Sequence, residues 1–286
     1  MKITPNSVHC GDALELLQAM PDASVDLVFY SPPYGKQRSY GELDFKLTGE
    51  DFVAWSVEVY RECYRVSKGL TACVIEGATK HFVYDATPIL IAADLKRAGV
   101  KLRKPPIFHR FGIPGSGGPD WLRNDYEFII CASHGKLPWS DNTACGHPPK
   151  FPPGGAPSHQ SRDGRVNKPR PQREGDVKRS RTYKPPTKSN PGNVQKFRVG
   201  GSAMGSPLAH ENEAPFPEAL ADFYIRSFCP PGGIVLDPFS GSGTTAAAAI
   251  KADRQYIAFD LRESQTELTR RRINEANIAA SGCFTK

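Results

Sequence analysis

Short apolar runs along the chain alternate with stretches whose apolar residues return every three or four positions, the pattern of buried strands separated by amphipathic helices. Strands are expected over 25–29, 70–75, 106–110, 126–131, 233–236 and 256–259. Helical spacing covers 50–68, 80–97 (broken at Gly99), 217–228, 244–251 and 263–276. This order predicts an α/β fold, a mostly parallel sheet flanked by helices, and no internal repeat is visible. Open sheets of this class bind ligands beyond the carboxyl ends of their strands, where the strand order reverses. The residues that follow 25–29 and 233–236 are therefore the first places to look for chemistry.

The pattern lapses from about residue 136 to 206. Residues 150–198 carry thirteen Lys or Arg against three Asp or Glu, with eight prolines and almost no aliphatic side chains. Such a stretch supports neither a long helix nor a core of its own, so it is expected to be a loop-rich excursion. Its excess of ten positive charges outweighs the +7 of the whole chain and leaves the remainder at −3. One reading is a solvated linker. The other is an electrostatic anchor for a polyanion, with Lys168, Arg170, Arg173, Lys178, Arg179, Arg181 and Lys184 on its phosphates. Phe151, Tyr183 and Phe197 are too sparse for a stacking platform.

With 286 residues, 39% of them hydrophobic, the chain is long enough for one substantial core plus this appendage. No apolar run approaches the length of a membrane span, and Met1-Lys2-Ile3-Thr4-Pro5-Asn6 does not lead into a signal-peptide core. Seven scattered cysteines, none in a Cys-x-x-Cys pair, encode no disulfide framework, so a cytoplasmic location is expected. Cys131, His134, Cys145 and His147 are the nearest approach to a zinc set, but a single residue between the last two suits a tetrahedral site poorly, and no metal is expected.

Two motifs stand at strand ends. Asp237-Pro238-Phe239-Ser240-Gly241-Ser242-Gly243-Thr244-Thr245 follows the strand over 233–236 and opens a helix. Its glycines allow a tight turn and a close approach of backbone to ligand, with helix amides facing it. No Lys follows the last glycine, and the Gly-x-Gly-x-x-Gly spacing is absent, so a nucleoside without phosphates fits better than a nucleotide. Asp260, 23 residues beyond Asp237 at the end of the next strand, stands where a carboxylate grips ribose hydroxyls. The second motif, Ser31-Pro32-Pro33-Tyr34, follows the strand over 25–29. Two prolines stiffen the turn and leave carbonyl oxygens as fixed acceptors beside the Ser31 hydroxyl, while Tyr34 offers a flat face with a polar tip. That set suits an exocyclic amino group on a stacked base. A plain proline turn after a strand is the alternative.

Together these residues resemble the amino-methyltransferases of DNA, which move a methyl group from S-adenosyl-L-methionine to the exocyclic nitrogen of cytosine or adenine. The resemblance covers the chain apart from the insert. Ser31 to Tyr34 is similar to the family's catalytic motif, and 237–245 to its cofactor loop. The order of catalytic motif, variable region and cofactor loop matches the family's β group. It implies a Rossmann-like methyltransferase fold in three parts: a catalytic half over 1–135, a target-recognition insert over 136–206, and a cofactor-binding half over 207–286. Gly11-Asp12 with Leu14, Leu16 and Leu17 resembles the strand end that contacts the cofactor adenine. Ala214-Pro215-Phe216-Pro217 resembles the segment that closes over its methionine part, and Tyr40-Gly41 fits the group's mobile loop.

By that resemblance Asp12, Phe216, Pro217, Asp237, Pro238, Phe239, Gly241, Gly243, Thr244 and Asp260 hold the cofactor, and Ser31, Pro32, Pro33 and Tyr34 hold a base flipped out of duplex DNA. No Pro-Cys dipeptide is present, as carbon-5 cytosine methylation in its own family uses; Cys229 precedes Pro230 instead. Adenine enzymes of the β group usually carry Asp before Pro-Pro-Tyr and N4-cytosine enzymes Ser, so Ser31 points to cytosine, as does Ala-Pro-Phe-Pro at 214–217. The alternatives are an N6-adenine enzyme, a catalytically inactive DNA-binding protein of the same fold, and an RNA or protein-glutamine methyltransferase. The last usually has Asn in place of Ser31 and an earlier cofactor loop. Double-stranded DNA is the expected partner; the sequence leaves open a cognate restriction endonuclease and a monomeric or homodimeric state.

Overall fold

The computed structural model describes residues 3–34, 47–112, 120–149 and 187–282. In chain order its elements begin with β1 (Ser7–Cys10), α1 (Ala13–Gln18), β2 (Val25–Tyr30), α2 (Gly49–Val66) and β3 (Ser67–Ile75). A small hairpin of β4 (Thr79–Lys80) and β5 (Val83–Tyr84) precedes α3 (Thr87–Arg97), β6 (Ile107–Phe111), β7 (Tyr126–Ala132) and β8 (Val194–Arg198). The chain then forms α4 (Glu218–Phe228), β9 (Ile234–Asp237), α5 (Thr244–Lys251), β10 (Gln255–Asp260) and α6 (Glu263–Gly282).

Eight strands make one sheet in the order β1-β10-β9-β2-β3-β7-β6-β8. The run from β1 to β3 is parallel, β7 lies antiparallel to both β3 and β6, and β8 runs parallel to β6. From β2 the chain continues to β3 on one side, whereas from β9 it continues to β10 on the other. The reversal of strand order therefore falls between β2 and β9, and the carboxyl ends of these two strands carry the two motifs.

Alternation along β2 divides the core. Val28 and Tyr30 face one cluster with Leu17, Tyr60 and Leu95 of α1, α2 and α3, while Leu27 and Phe29 face a second with Tyr224, Ala248 and Ile273 of α4, α5 and α6. Helices thus cover both faces, which is why β2 and β3 read as nearly unbroken apolar runs. Each fully buried aliphatic or aromatic side chain at this centre contributes about 1.5–3 kcal/mol. Asp26 pins the other end of the same junction, accepting from the Ile234 amide at 2.8 Å and pairing with Lys68 at 3.0 Å.

Two expectations need correction. The helix expected over 80–97 begins only at Thr87, because His81 and Phe82 take positive φ (49° and 67°) and close the β4–β5 hairpin. Pro88, in the first helical turn, marks the true start. Residues 194–198, inside the stretch expected to be loop, form β8 at the edge of the main sheet. No helix among the described residues is long and apolar enough to cross a membrane.

Candidate active site

A cavity of about 260 Å³ opens where β2 and β9 diverge. It gathers eleven of the fourteen residues assigned to catalysis or cofactor: all of Ser31 to Tyr34, with Asp12, Phe216, Pro238, Phe239, Gly241, Thr244 and Asp260. Residues 35–46 and 150–186, with Tyr40-Gly41 and the seven basic candidates from Lys168 to Lys184, lie outside the described residues.

The loop after β9 is held from below. Asp237 is buried and touches no open space; its Oδ1 accepts from the Phe239 amide at 3.0 Å and its Oδ2 from Thr245 Oγ1 at 2.6 Å. One carboxylate thereby closes an Asx turn and fixes the first turn of α5. Burial pushes its carboxyl up to about 7, against the pull of those two hydrogen bonds. Gly243 also lies away from the cavity. It caps α5 at φ 75°, where a Cβ would come within 3.1 Å of the Thr269 backbone. Thr269 Oγ1 in turn donates to the Gly241 carbonyl at 2.9 Å, which moors the loop to α6.

The ends of β1 and β10 and the segment before α4 then supply the rim. Asp12 caps α1 through the amides of Leu14 and Glu15. Asp260 accepts from the amides of Gly241 (2.9 Å) and Arg262 (3.1 Å), and burial raises its carboxyl above the usual aspartate range. Phe216 packs edge-on against Phe29 at 5.4 Å, whereas Pro217 faces a second cavity of about 190 Å³ next door. The sequence reading missed Trp55, which packs against Phe239 at 5.7 Å, and Asn212 and Arg262, all of which line the main cavity. An aromatic on an amphipathic helix gives no local sign that it faces a ligand.

Tyr34 and Ser31 belong to both cavities. Ser31 Oγ and Tyr34 Oη lie 3.0 Å apart, and Tyr34 Oη lies 3.0 Å from Glu127 Oε2. Glu127 Oε1 pairs with Arg110 Nη1 at 3.1 Å. Glu127, within the strand expected over 126–131, is thus wired to the Ser-Pro-Pro-Tyr turn, although its partner is 93 residues away in sequence. Of the residues weighed as zinc ligands, Cys131 is buried in β7 and His134 stacks on Tyr64 at 3.9 Å. His210 lies on the surface with Nε2 at 3.2 Å from the Gly201 carbonyl.

The DNA methylase family profile matches residues 25–271. Among curated relatives, the Escherichia coli K12 DNA adenine methyltransferase YhdJ is 28% identical over 93% of this chain and 82% of its own length. The Bacillus subtilis type II methyltransferase M.BglII is 25% identical over 92% and 67%. The solved PvuII DNA methyltransferase (cytosine-N4-specific) superposes with a TM-score of 0.65 at 18% identity, covering 97% of this chain and 92% of its own. The Thermus thermophilus protein TTHA0409, solved with S-adenosyl-L-methionine, gives 0.59 at 22% identity over 95% and 94%.

The cavity suits that cofactor. Its acidic and basic side chains are those of Asp12 and Asp260 and an Arg262 already paired with Glu213, among the aromatic walls of Trp55, Phe216 and Phe239. That set matches a nucleoside with a cationic sulfonium and would repel phosphates. The chain belongs to the DNA methylase family of N6-adenine and N4-cytosine enzymes and is an S-adenosylmethionine-dependent DNA methyltransferase.

Proposed function

We propose that the enzyme methylates the N4 amino group of cytosine in duplex DNA, on a base rotated out of the stack into the space beside Ser31 and Tyr34. The observation that carries the base assignment is the serine at position 31, where the adenine enzymes of the β group usually have aspartate. The YhdJ relative is named as an adenine methyltransferase and the PvuII neighbour as a cytosine enzyme, so the alternative product is N6-methyladenine.

Bound S-adenosylmethionine supplies an electrophilic methyl group on sulfur. The chain's own work is alignment. Ser31 Oγ and the Pro32 carbonyl accept from the amino hydrogens and orient its lone pair, while the Tyr34 ring supports the base. Asp260 takes the ribose hydroxyls and Asp12 the adenosine side of the cavity, with Phe216, Pro238 and Phe239 as apolar walls and the backbone at Gly241 and Thr244 as close contacts. Asp237 and Gly243 act indirectly by shaping that loop, and Pro217 by closing the neighbouring cavity. Lys168, Arg170, Arg173, Lys178, Arg179, Arg181 and Lys184 anchor DNA phosphates from the insert. The type II relatives support pairing with a cognate endonuclease in a bacterial or phage-infected cytoplasm.

The test is incubation with mixed-sequence duplex DNA and isotopically labelled cofactor, digestion to nucleosides and mass spectrometry. Label in N4-methylcytosine is expected. Label in N6-methyladenine would overturn the base and keep the chemistry.

A further inference from the structure

A neutral amino nitrogen that gains a methyl group holds one proton too many. Carbonyl oxygens such as that of Pro32 can orient the amino group but are poor final proton acceptors. The carboxylates on the main cavity, Asp12 and Asp260, are those assigned above to the adenosine and ribose of the cofactor. Beside Ser31 there is a different route. Glu127 is paired with the Arg110 guanidinium at 3.1 Å, which holds it as a carboxylate, so it can only accept from Tyr34. Tyr34 has then given its one proton to Glu127, and Ser31 must be the donor in the 3.0 Å contact with Tyr34. With both hydroxyl protons engaged in these two contacts, the Ser31 oxygen keeps lone pairs that can accept from an amino group.

We propose that Ser31, Tyr34 and Glu127 form a proton relay in which Glu127, acting through Tyr34, is the terminal acceptor for the proton released in methyl transfer. As the nitrogen–carbon bond forms, the donor's sulfur–carbon bond breaks with its electron pair left on sulfur. The amino proton passes to Ser31 Oγ, the serine proton to Tyr34 Oη and the tyrosine proton to Glu127, which becomes a neutral carboxylic acid. The charge balances because one carboxylate is neutralised as the positive sulfonium becomes a neutral thioether. A ring-conjugated amino group that has just been alkylated is a strong acid, so a carboxylate held by an arginine is a sufficient base. Burial and the Glu127 charge hold the Tyr34 phenol well above its usual range, so Tyr34 conducts the proton without resting as phenolate. Glu76, at the end of β3, faces the same carboxylate and is itself pushed up to about 7, chiefly by burial.

The inference rests on amino-group transfer at Ser31, and the test separates the two. Single-turnover methylation is measured for the wild type, Glu127→Gln, Glu127→Asp and Tyr34→Phe, in H₂O and in D₂O, with cofactor and DNA dissociation constants measured alongside. Glu127→Gln keeps an oxygen for Tyr34 but takes no proton, and is expected to slow transfer about 100-fold with binding within about threefold. Tyr34→Phe should do the same, Glu127→Asp should recover part of the loss, and the wild-type solvent isotope effect should be absent from the two relay-breaking variants. A rate within about threefold of wild type in either Glu127→Gln or Tyr34→Phe overturns the relay. So does a slow Glu127→Gln enzyme that keeps the wild-type isotope effect or loses cofactor binding in proportion. A wild type that labels no amino group refutes the underlying reading instead.

Discussion

Arg262 grips Glu213 with two parallel hydrogen bonds, Nη1 to Oε1 at 2.7 Å and Nη2 to Oε2 at 3.0 Å, at the mouth of the main cavity. The pair ties the segment that carries Phe216 to the end of β10, beside Asp260. Lysine cannot reproduce the two-pronged geometry, so Arg262→Lys is expected to weaken cofactor binding about tenfold, as read by titration calorimetry. The hydrogen bond from Arg262 holds the Glu213 carboxyl below its usual range. Its contribution is therefore complete above the ordinary glutamate pKa and fades only as pH falls through the lowered value. The effect of the substitution should be flat between about pH 6 and 8, and an unchanged dissociation constant would show that the pair does not position Phe216 for the cofactor.

Asp237 gives a pH prediction of opposite sign. Its carboxyl stands at about 7 in the folded protein against an ordinary 3.8, so the folded state holds a proton that the unfolded chain has lost. The stabilisation it gives is complete below about pH 4 and lost as pH rises toward about 7. Asp237→Asn, which still accepts from the Phe239 amide, does not titrate. The stability of this variant relative to wild type should therefore climb by up to about 4 kcal/mol across that window and then level off. Urea unfolding at several pH values measures this, and a constant difference would rule it out.

Much of this site was legible because it lies at strand ends. The apolar runs located β2 and β9, the topology rule made their carboxyl ends the place for ligands, and the two motifs stand there. What stayed hidden depends on partners distant in sequence. Glu127 looks like the start of a strand until Tyr34 is placed beside it. Strand β8, Val-Gln-Lys-Phe-Arg, has two apolar residues among charges, as an edge strand facing solvent does, and its composition alone reads as loop. The β4–β5 hairpin was absorbed into a helix because Lys80 to Arg97 keeps helical spacing, and only the backbone at His81 and Phe82 reveals the turn.

Gly241 lines the cavity at φ 50°, and a Cβ there would come within 2.7 Å of Asn212 Nδ2. Gly241→Ala combines left-handed strain of about 1 kcal/mol with the displacement of that side chain. Cofactor affinity is expected to fall about tenfold or more. Since the obstructing atom ends a side chain, Asn212→Ala in the same molecule should restore part of the loss. Failure of the double variant to recover would place the whole cost in the backbone.

The basic insert makes a prediction about salt. If Lys168, Arg170, Arg173, Lys178, Arg179, Arg181 and Lys184 sit on phosphates, each releases condensed counterions, and the logarithm of affinity falls with the logarithm of salt by about 0.9 per contact. Replacing all seven with alanine should flatten that slope by up to about 6 while leaving cofactor binding untouched. Fluorescence anisotropy over a salt series gives the slope directly. A parallel loss of affinity at every salt concentration, with the slope unchanged, would mean that these side chains do not neutralise phosphates and that the insert engages DNA by other contacts.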